Sequence, residues 1–366
     1  MNCIANIAIN TLCTMEIILT TKEMPLLTTL SVKNVNGNIM DTQENMNIPT
    51  PKLKDHYFPI LDQGFIALKD VMGTDEDIEQ AARVSYQGGT RKTSETRGLL
   101  RYCMSHGHTS IFEQVVLKLH VKAPILVFRQ WHRHRTWSYN EESGRYSVLS
   151  DACLKTEPDE WRLQSTTNKQ GSEAGDLEWP MSYLDAGTNN SYDSARDFLT
   201  AQEEEAQREA RDTYETRLEF GVSREQARKE VPVSQYSSMY ATVDLHNLLH
   251  FMRLRCDSHA QLEIRLYANA IAGMVKELFP IAFEGWYDYV FQSSNFSRLD
   301  KVMLQIYIDM CQSADYNYGP SIEDLQNHRK DVGMTARELG EFWDKIAVPA
   351  EQDFTLDFSR EYARTK

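Results

Sequence analysis

The clearest alternation in the chain runs over residues 115–123, where Leu117, Leu119 and Val121 point one way and Lys118, His120 and Lys122 the other. A period of two predicts a strand with one buried face. Residues 64–72 also have strand composition and are closed by Gly73, Thr74 and Asp75. Helical spacing takes over at 76–86, where Ile78, Ala81, Ala82 and Ser85 share a face. A second helix is predicted over 93–104, ending at Gly107, and Pro124 is placed to open a third over 125–131. Residues 195–220 form a long charged helix in which Glu203, Glu204 and Glu205 oppose Arg208 and Arg211, the pattern of a solvated face. Gly221 stops it, and a short helix over 224–230 precedes Pro232. Residues 245–255 are apolar and helical in pattern. Ser258, His259, Ala260 and Gln261 resemble a capping box opening a long helix that ends at Pro280. Two more helical stretches centre on Leu304 and Leu339. Few strands among many helices predict an α+β fold, a mixed or antiparallel sheet flanked by several long helices.

Residues 1–57 stand apart, with much Asn and Thr, few aromatics and no strong period. Their apolar piece is broken by Asn6, Asn10 and Thr11 and has no basic leader, and no Arg precedes Arg83. They are read as a disordered N-terminal extension rather than a targeting signal. Residues 58–290 form the body, interrupted at 155–194 by a polar surface insertion containing Pro158 and Pro180. Residues 291–366 form a helical C-terminal extension.

The composition is that of an ordinary globular chain, 41% hydrophobic and 25% charged. A net charge of −14 disfavours nucleic acid and anionic membranes as partners, so any anion site must be a local basic patch. No apolar run approaches the ~18 residues of a membrane span. Six Cys without a CxxC predict reduced thiols and a cytoplasmic setting.

One segment breaks the acidic pattern. Residues 129–147 hold Arg129, Arg133, Arg135, Arg145, His132 and His134 among Trp131, Trp137, Tyr139 and Tyr146. Guanidinium groups match phosphate and stack on rings. Ser143, Gly144 and Arg145 form a small-residue turn whose backbone N–H groups can hold phosphate. From composition three readings stay open: a site for a phosphorylated aromatic ligand, a surface basic patch, or a groove that stacks single-stranded nucleic acid. His106, His108, His132 and His134 lack a Cys or carboxylate at a familiar ligand spacing, so no metal is expected.

The spacing Arg133-His134-Arg135, seven residues, then Ser143 resembles the RHR-x7-S signature of flavin-dependent thymidylate synthases. The resemblance continues through Tyr146. Residues 106–113 resemble that family's upstream block and residues 254–261 its downstream block, so it spans roughly 61–289 in order. It implies conversion of dUMP to dTMP, with methylenetetrahydrofolate supplying the carbon, NADPH reducing through FAD, and a homotetramer sharing active sites between subunits.

The resemblance also implies roles for residues. Arg133 would touch flavin and nucleotide, with His134 and Arg135 along the flavin. Ser110, His108, Asp244, Leu245, His246 and His250 would also lie at the cofactor. Gln130, Trp131 and His132 would line the nucleotide, Glu141 would sit between the two ligands, and Glu142, Ser143, Gly144, Arg145 and Arg228 would hold dUMP. Arg145 would take its phosphate, and Ser143 would bond the nucleotide rather than attack it, since a serine needs an activating base. Arg255 would be catalytic, lowering the cost of a uracil anion, helped by the dipole of a helix starting at Ser258. Asp244 and His246 depart from the Asn and Arg of some members. Cys256 is read as packing, although the flavin-free class of thymidylate synthases uses a Cys nucleophile.

Overall fold

The computed structural model describes residues 52–84, 96–166, 169, 171–312, 320–347 and 350–362, with short strands at 17–18, 31–33 and 39–40. Residues 1–50 are one unit, in which those three strands pair antiparallel in chain order. The expected disorder of 1–57 lies, for most of its length, outside the described residues. So do the end of the helix expected over 76–86 and the start of the one expected over 93–104.

The second unit begins at Pro51 and is built on one antiparallel sheet. Its strands are β1 (Tyr57–Ile60), β2 (Gly64–Met72), β3 (Val116–Pro124), β4 (Ser138–Glu141) and β5 (Tyr236–Asp244), in spatial order β1-β2-β3-β5-β4. Leu117, Leu119 and Val121 of β3 are wholly buried, as their alternation predicts. β5 pairs with β3 on one side and β4 on the other, setting Met239 opposite Val121 and Glu141. Neither β4 nor β5 stands out in the sequence. β5 carries Met239, Ala241 and Val243 on its buried face, but Ser237, Ser238 and Thr242 dilute its apolar pattern.

The helices are α1 (Asp75–Arg83), α2 (Thr96–Ser105), α3 (Ile125–Trp131), α4 (Ala195–Glu219), α5 (Leu245–Arg255), α6 (Leu262–Leu278) and α7 (Pro280–Trp286). Pro124 is the N-cap of α3, as expected. The expected capping box before α6 is absent. That helix begins at Leu262 with no side-chain cap on Gln261, and the Ser258 carbonyl accepts from Arg265 Nη1. Pro280 both ends α6 and occupies the first turn of α7, where it needs no N–H partner.

The insertion at 155–194 holds a two-strand hairpin, Leu163–Gln164 with Ser172–Glu173, and a short helix, Met181–Asp185. Its anchors correct the reading of α4 as a merely solvated face. Glu203 Oε2 accepts from Thr156 N at 2.8 Å, Glu204 pairs with Lys155 at 2.7 Å, and Trp161 Nε1 donates to Thr200 Oγ1 at 3.0 Å.

The C-terminal part has three described helices rather than two: α8 (Arg298–Cys311), α9 (Ile322–Val332) and α10 (Ala336–Ile346). They share a small core of Met303, Leu325, Met334, Leu339 and Phe342. The chain then returns to the main core. Phe354 is buried there, Gln352 N donates to Tyr287 Oη at 3.0 Å, and Tyr362 N donates to Tyr57 O at 2.8 Å. Gly273 of α6 lies beneath this tail, where a Cβ would stand 2.7 Å from the Phe354 carbonyl oxygen. No helix among the described residues is long and apolar enough to cross a membrane.

Candidate active site

The turn after α3 presents the Arg133, His134, Arg135 triplet. Trp131, at the end of α3, is wholly buried and stacks on Phe251 of α5 with ring centroids 5.0 Å apart. Tyr139 of β4 closes the turn, its hydroxyl donating to the carbonyls of His134 at 2.8 Å and Trp131 at 3.2 Å. Burial pushes that phenol's pKa well up, so it stays a donor. The outcome is two exposed arginines, Arg133 and Arg135, flanking an inward His134 that is only 8% exposed.

Arg255 reaches the same place from the end of α5. Its Nε donates to His134 Nε2 at 3.1 Å and its Nη2 to the Gln130 carbonyl at 3.4 Å. The Gln130 side chain donates to Gln261 Oε1. Burial, then the charges of Arg255 and His250, pull the His134 pKa down to about 4, so the imidazole is neutral. Burial and Arg133 lower the Arg255 pKa from its ordinary value. Arg255 ends α5, as the pattern over 245–255 predicts, and the carbonyl end of that helix favours its cation. Neighbouring Cys256 is buried, and burial pushes its thiol pKa up, which fits packing rather than attack.

A second group surrounds the end of β4. Glu141 accepts from Ser237 Oγ at 2.9 Å, and Glu142 N donates to the Ser238 carbonyl at 2.8 Å. In the turn beyond, Tyr146 N donates to the Ser143 carbonyl at 3.0 Å and Arg145 N to Ser143 Oγ at 3.3 Å. Of the N–H groups expected to face a phosphate, that of Arg145 is thus used within the turn. Gly144 is buried against Arg228, whose Nη1 a Cβ at 144 would meet at 3.3 Å. A cavity of ≈ 250 Å³ opens here, lined by Glu141, Glu142, Gly144, Arg228, Lys229 and Ser237. Arg145 is exposed and ion-paired with Glu225 at 3.1 Å.

Other candidates have different surroundings. Asp244 is the N-cap of α5, accepting from Asn247 N at 2.9 Å and Asn247 Nδ2 at 2.6 Å, so both its oxygens are in use. The side chains of Leu245 and Trp131 are in the core, which leaves only their backbones to face a ligand. His246 is half-buried and His250 exposed on α5, the His250 ring 6.2 Å from that of His134. His108 and Ser110 lie on an exposed turn, His108 beside the rings of Tyr102 and His106. This turn leads to Val115, whose carbonyl accepts from Leu245 N at 2.8 Å. No hydrogen bond among the described residues joins His108 or Ser110 to the triplet. His132 stacks on Phe128, and its buried Nε2 has no partner.

Sequence reasoning missed Ser237, Glu225 and Gln261 as neighbours of these groups. Ser237 becomes visible only through the pairing of β4 with β5.

The family model described as "Thymidylate synthase complementing protein" matches residues 67–281, which contain every candidate above. The flavin-dependent thymidylate synthase of Thermus thermophilus is 45% identical over 242 residues, covering 66% of this chain and 82% of that protein. The chain belongs to the flavin-dependent thymidylate synthase family. The Dictyostelium discoideum synthase is 44% identical over 65% of this chain and 76% of its own length. The Ehrlichia ruminantium synthase is 36% identical over 324 residues, 87% of this chain and 98% of its own, so likeness to the synthases extends beyond the central body. Among solved structures, a UMP/dUMP methylase, PolB from Streptomyces cacaoi bound with 5-Br UMP, is 30% identical with a TM-score of 0.52. The match covers 65% of this chain and 98% of that one.

A synthase of this family requires a place for a flavin dinucleotide, and the donor set provides one. The guanidinium groups of Arg133 and Arg135 have no hydrogen-bond or ion-pair partner among the described residues, and Arg133 is close enough to lower the Arg255 pKa. Like charges gathered without a counter-ion, in a chain of net charge −14, fit a bound polyanion.

Proposed function

We propose that the triplet turn, the end of α5 and the cavity at the end of β4 together serve the reductive methylation of dUMP to dTMP. Methylenetetrahydrofolate is the carbon donor and NADPH the reductant, through FAD. The observation that carries this reading is Arg255. Two of its N–H groups are fixed by His134 and the Gln130 carbonyl, and its other donors, like the nearby Arg133 guanidinium, have no partner among the described residues.

Arg133, Arg135 and His250 hold the flavin, with His108, Ser110 and His246 at its edges. When bound, the flavin relays reducing equivalents from NADPH to the carbon delivered by the folate. Gln130 and His132 face the nucleotide, and Glu141 lies between it and the flavin. Glu142, Ser143, Gly144, Arg145 and Arg228 hold dUMP, with Arg228 already at the cavity wall. Arg145 must leave Glu225 to reach the phosphate. Ser143 bonds the nucleotide. Its hydroxyl accepts from Arg145 N and has no base beside it, so it is not a nucleophile. The open edge of Arg255 stabilises negative charge on the uracil ring, which makes C5 a better nucleophile.

In one chain Arg133 and Arg135 are open to solvent, which supports a site completed by further copies in a homotetramer. Light scattering of the purified protein tests the assembly. An anaerobic visible spectrum with NADPH and dUMP tests the site. Flavin bands that bleach with NADPH, followed by dTMP formation on adding the folate, are the expected result. A protein that takes up no FAD would overturn the reading.

A further inference from the structure

We propose that His134 is a positioning residue, whose Nε2 lone pair holds the Nε–H of Arg255 and turns the outer edge of the guanidinium toward the pyrimidine. The inference rests on the reading of Arg255 as the catalytic residue facing uracil.

Arginine has donors only, five N–H groups in one plane, so the 3.1 Å contact requires His134 Nε2 to be the acceptor. The imidazole is then neutral with its proton on Nδ1. The Gln130 carbonyl takes one Nη2 hydrogen at 3.4 Å. These two contacts lie on one side of the guanidinium plane's perimeter. They leave three hydrogens, both on Nη1 and one on Nη2, and one from each nitrogen make a pair of parallel donors suited to the imide edge of a pyrimidine. Without the Nε anchor, the side chain regains rotation about its last torsions and the donor pair loses its aim.

The surroundings keep the acceptor in this state. Arg255 and His250 of α5 face the ring, and Arg133 adjoins Arg255. Arg253 and His246 lie near His250 on the same helix, and the Phe251 ring packs 4.8 Å away. No carboxylate bonds His134 among the described residues. The two groups that act on the ring, Arg255 and His250, both oppose an imidazolium, which could not accept from Arg255. Tyr139 fixes the ring's backbone from the other side through the His134 carbonyl.

Two amides test this with the same polarity and different reach. The His134→Gln amide extends to the place of Nε2, whereas the His134→Asn amide ends near Nδ1. Both full-length proteins are assayed with saturating FAD for bound flavin, kcat and the KM for dUMP. The expected result is flavin retained in both, kcat within about threefold of the unsubstituted protein for Gln, and a fall of at least about tenfold for Asn. Equal losses in the two variants, or loss of flavin or folding in both, would overturn the proposal, because the position of the acceptor would then not matter. If the unsubstituted protein makes no dTMP, the reading of Arg255 fails first, independently of the pair.

Discussion

Arg228 lies against the backbone of Gly144, so close that a Cβ there would sit 3.3 Å from its Nη1. The same Cβ would press on Leu149 at 2.8 Å. Both neighbours are the ends of flexible side chains, so the fold tolerates the change by moving them. Gly144→Ala is expected to displace Arg228 from the cavity wall. Steady-state kinetics should show a KM for dUMP raised about five- to tenfold, with a smaller change in kcat. Arg228→Ala should raise KM at least as much.

Arg255→Ala removes the group aimed at the pyrimidine and leaves Arg133 and Arg135 in place. Turnover should fall by about 10²-fold or more while the flavin spectrum persists. Unchanged dTMP formation would show that Arg255 is not catalytic.

The buried His134 makes stability depend on pH. Its folded pKa is about 4, against 6.5 for the free side chain. Between those values the unfolded chain binds the extra proton, so stability from this group is complete above pH 6.5 and is lost as pH falls toward 4. The loss at pH 5 is about 2 kcal/mol. Asp75 works in the opposite direction. Burial raises its pKa to about 6 although it accepts from Ile281 N and Ala282 N, so its contribution is greatest below the ordinary carboxylate range and declines as pH rises through 6. Comparing melts of the unsubstituted protein and His134→Gln from pH 4.5 to 7.5 isolates the histidine. The difference between them should narrow at the acid end.

Gly273→Ala tests the returning tail. The new methyl group meets a carbonyl oxygen and Leu356, so the tail must lift or α6 must shift. A loss of about 1–3 kcal/mol is expected, with faster proteolysis after residue 350.

The strands and helices whose buried faces are strongly apolar could be read from the sequence, β3 and α5 most directly. β5 could not, because a central strand covered on one face only needs few large apolar residues, and its three inward positions are Met, Ala and Val. The candidate site was named in the sequence through a resemblance carried by short motifs. Its geometry was not. The contact of His134 with Arg255 joins positions 121 residues apart, and Glu141 meets Ser237 through strand pairing. The helix start read at Ser258 was misplaced, because the helix begins at Leu262 with no side-chain cap. Asp244 also caps α5, a role legible in a carboxylate three residues before Asn247 at a helix start.

The Tyr57–Tyr362 hydrogen bond has a counterpart in His56, whose ring nitrogen meets the Arg360 carbonyl across 304 positions of chain. The first strand of the sheet is therefore finished by residues some 300 positions later in the chain. On the ribosome, β1 must wait for this partner until residues 360–362 have been made, and such distant closure is slow. A deletion of residues 360–362 and a truncation cutting into residue 56 would disturb the same edge from two distant stretches of the chain.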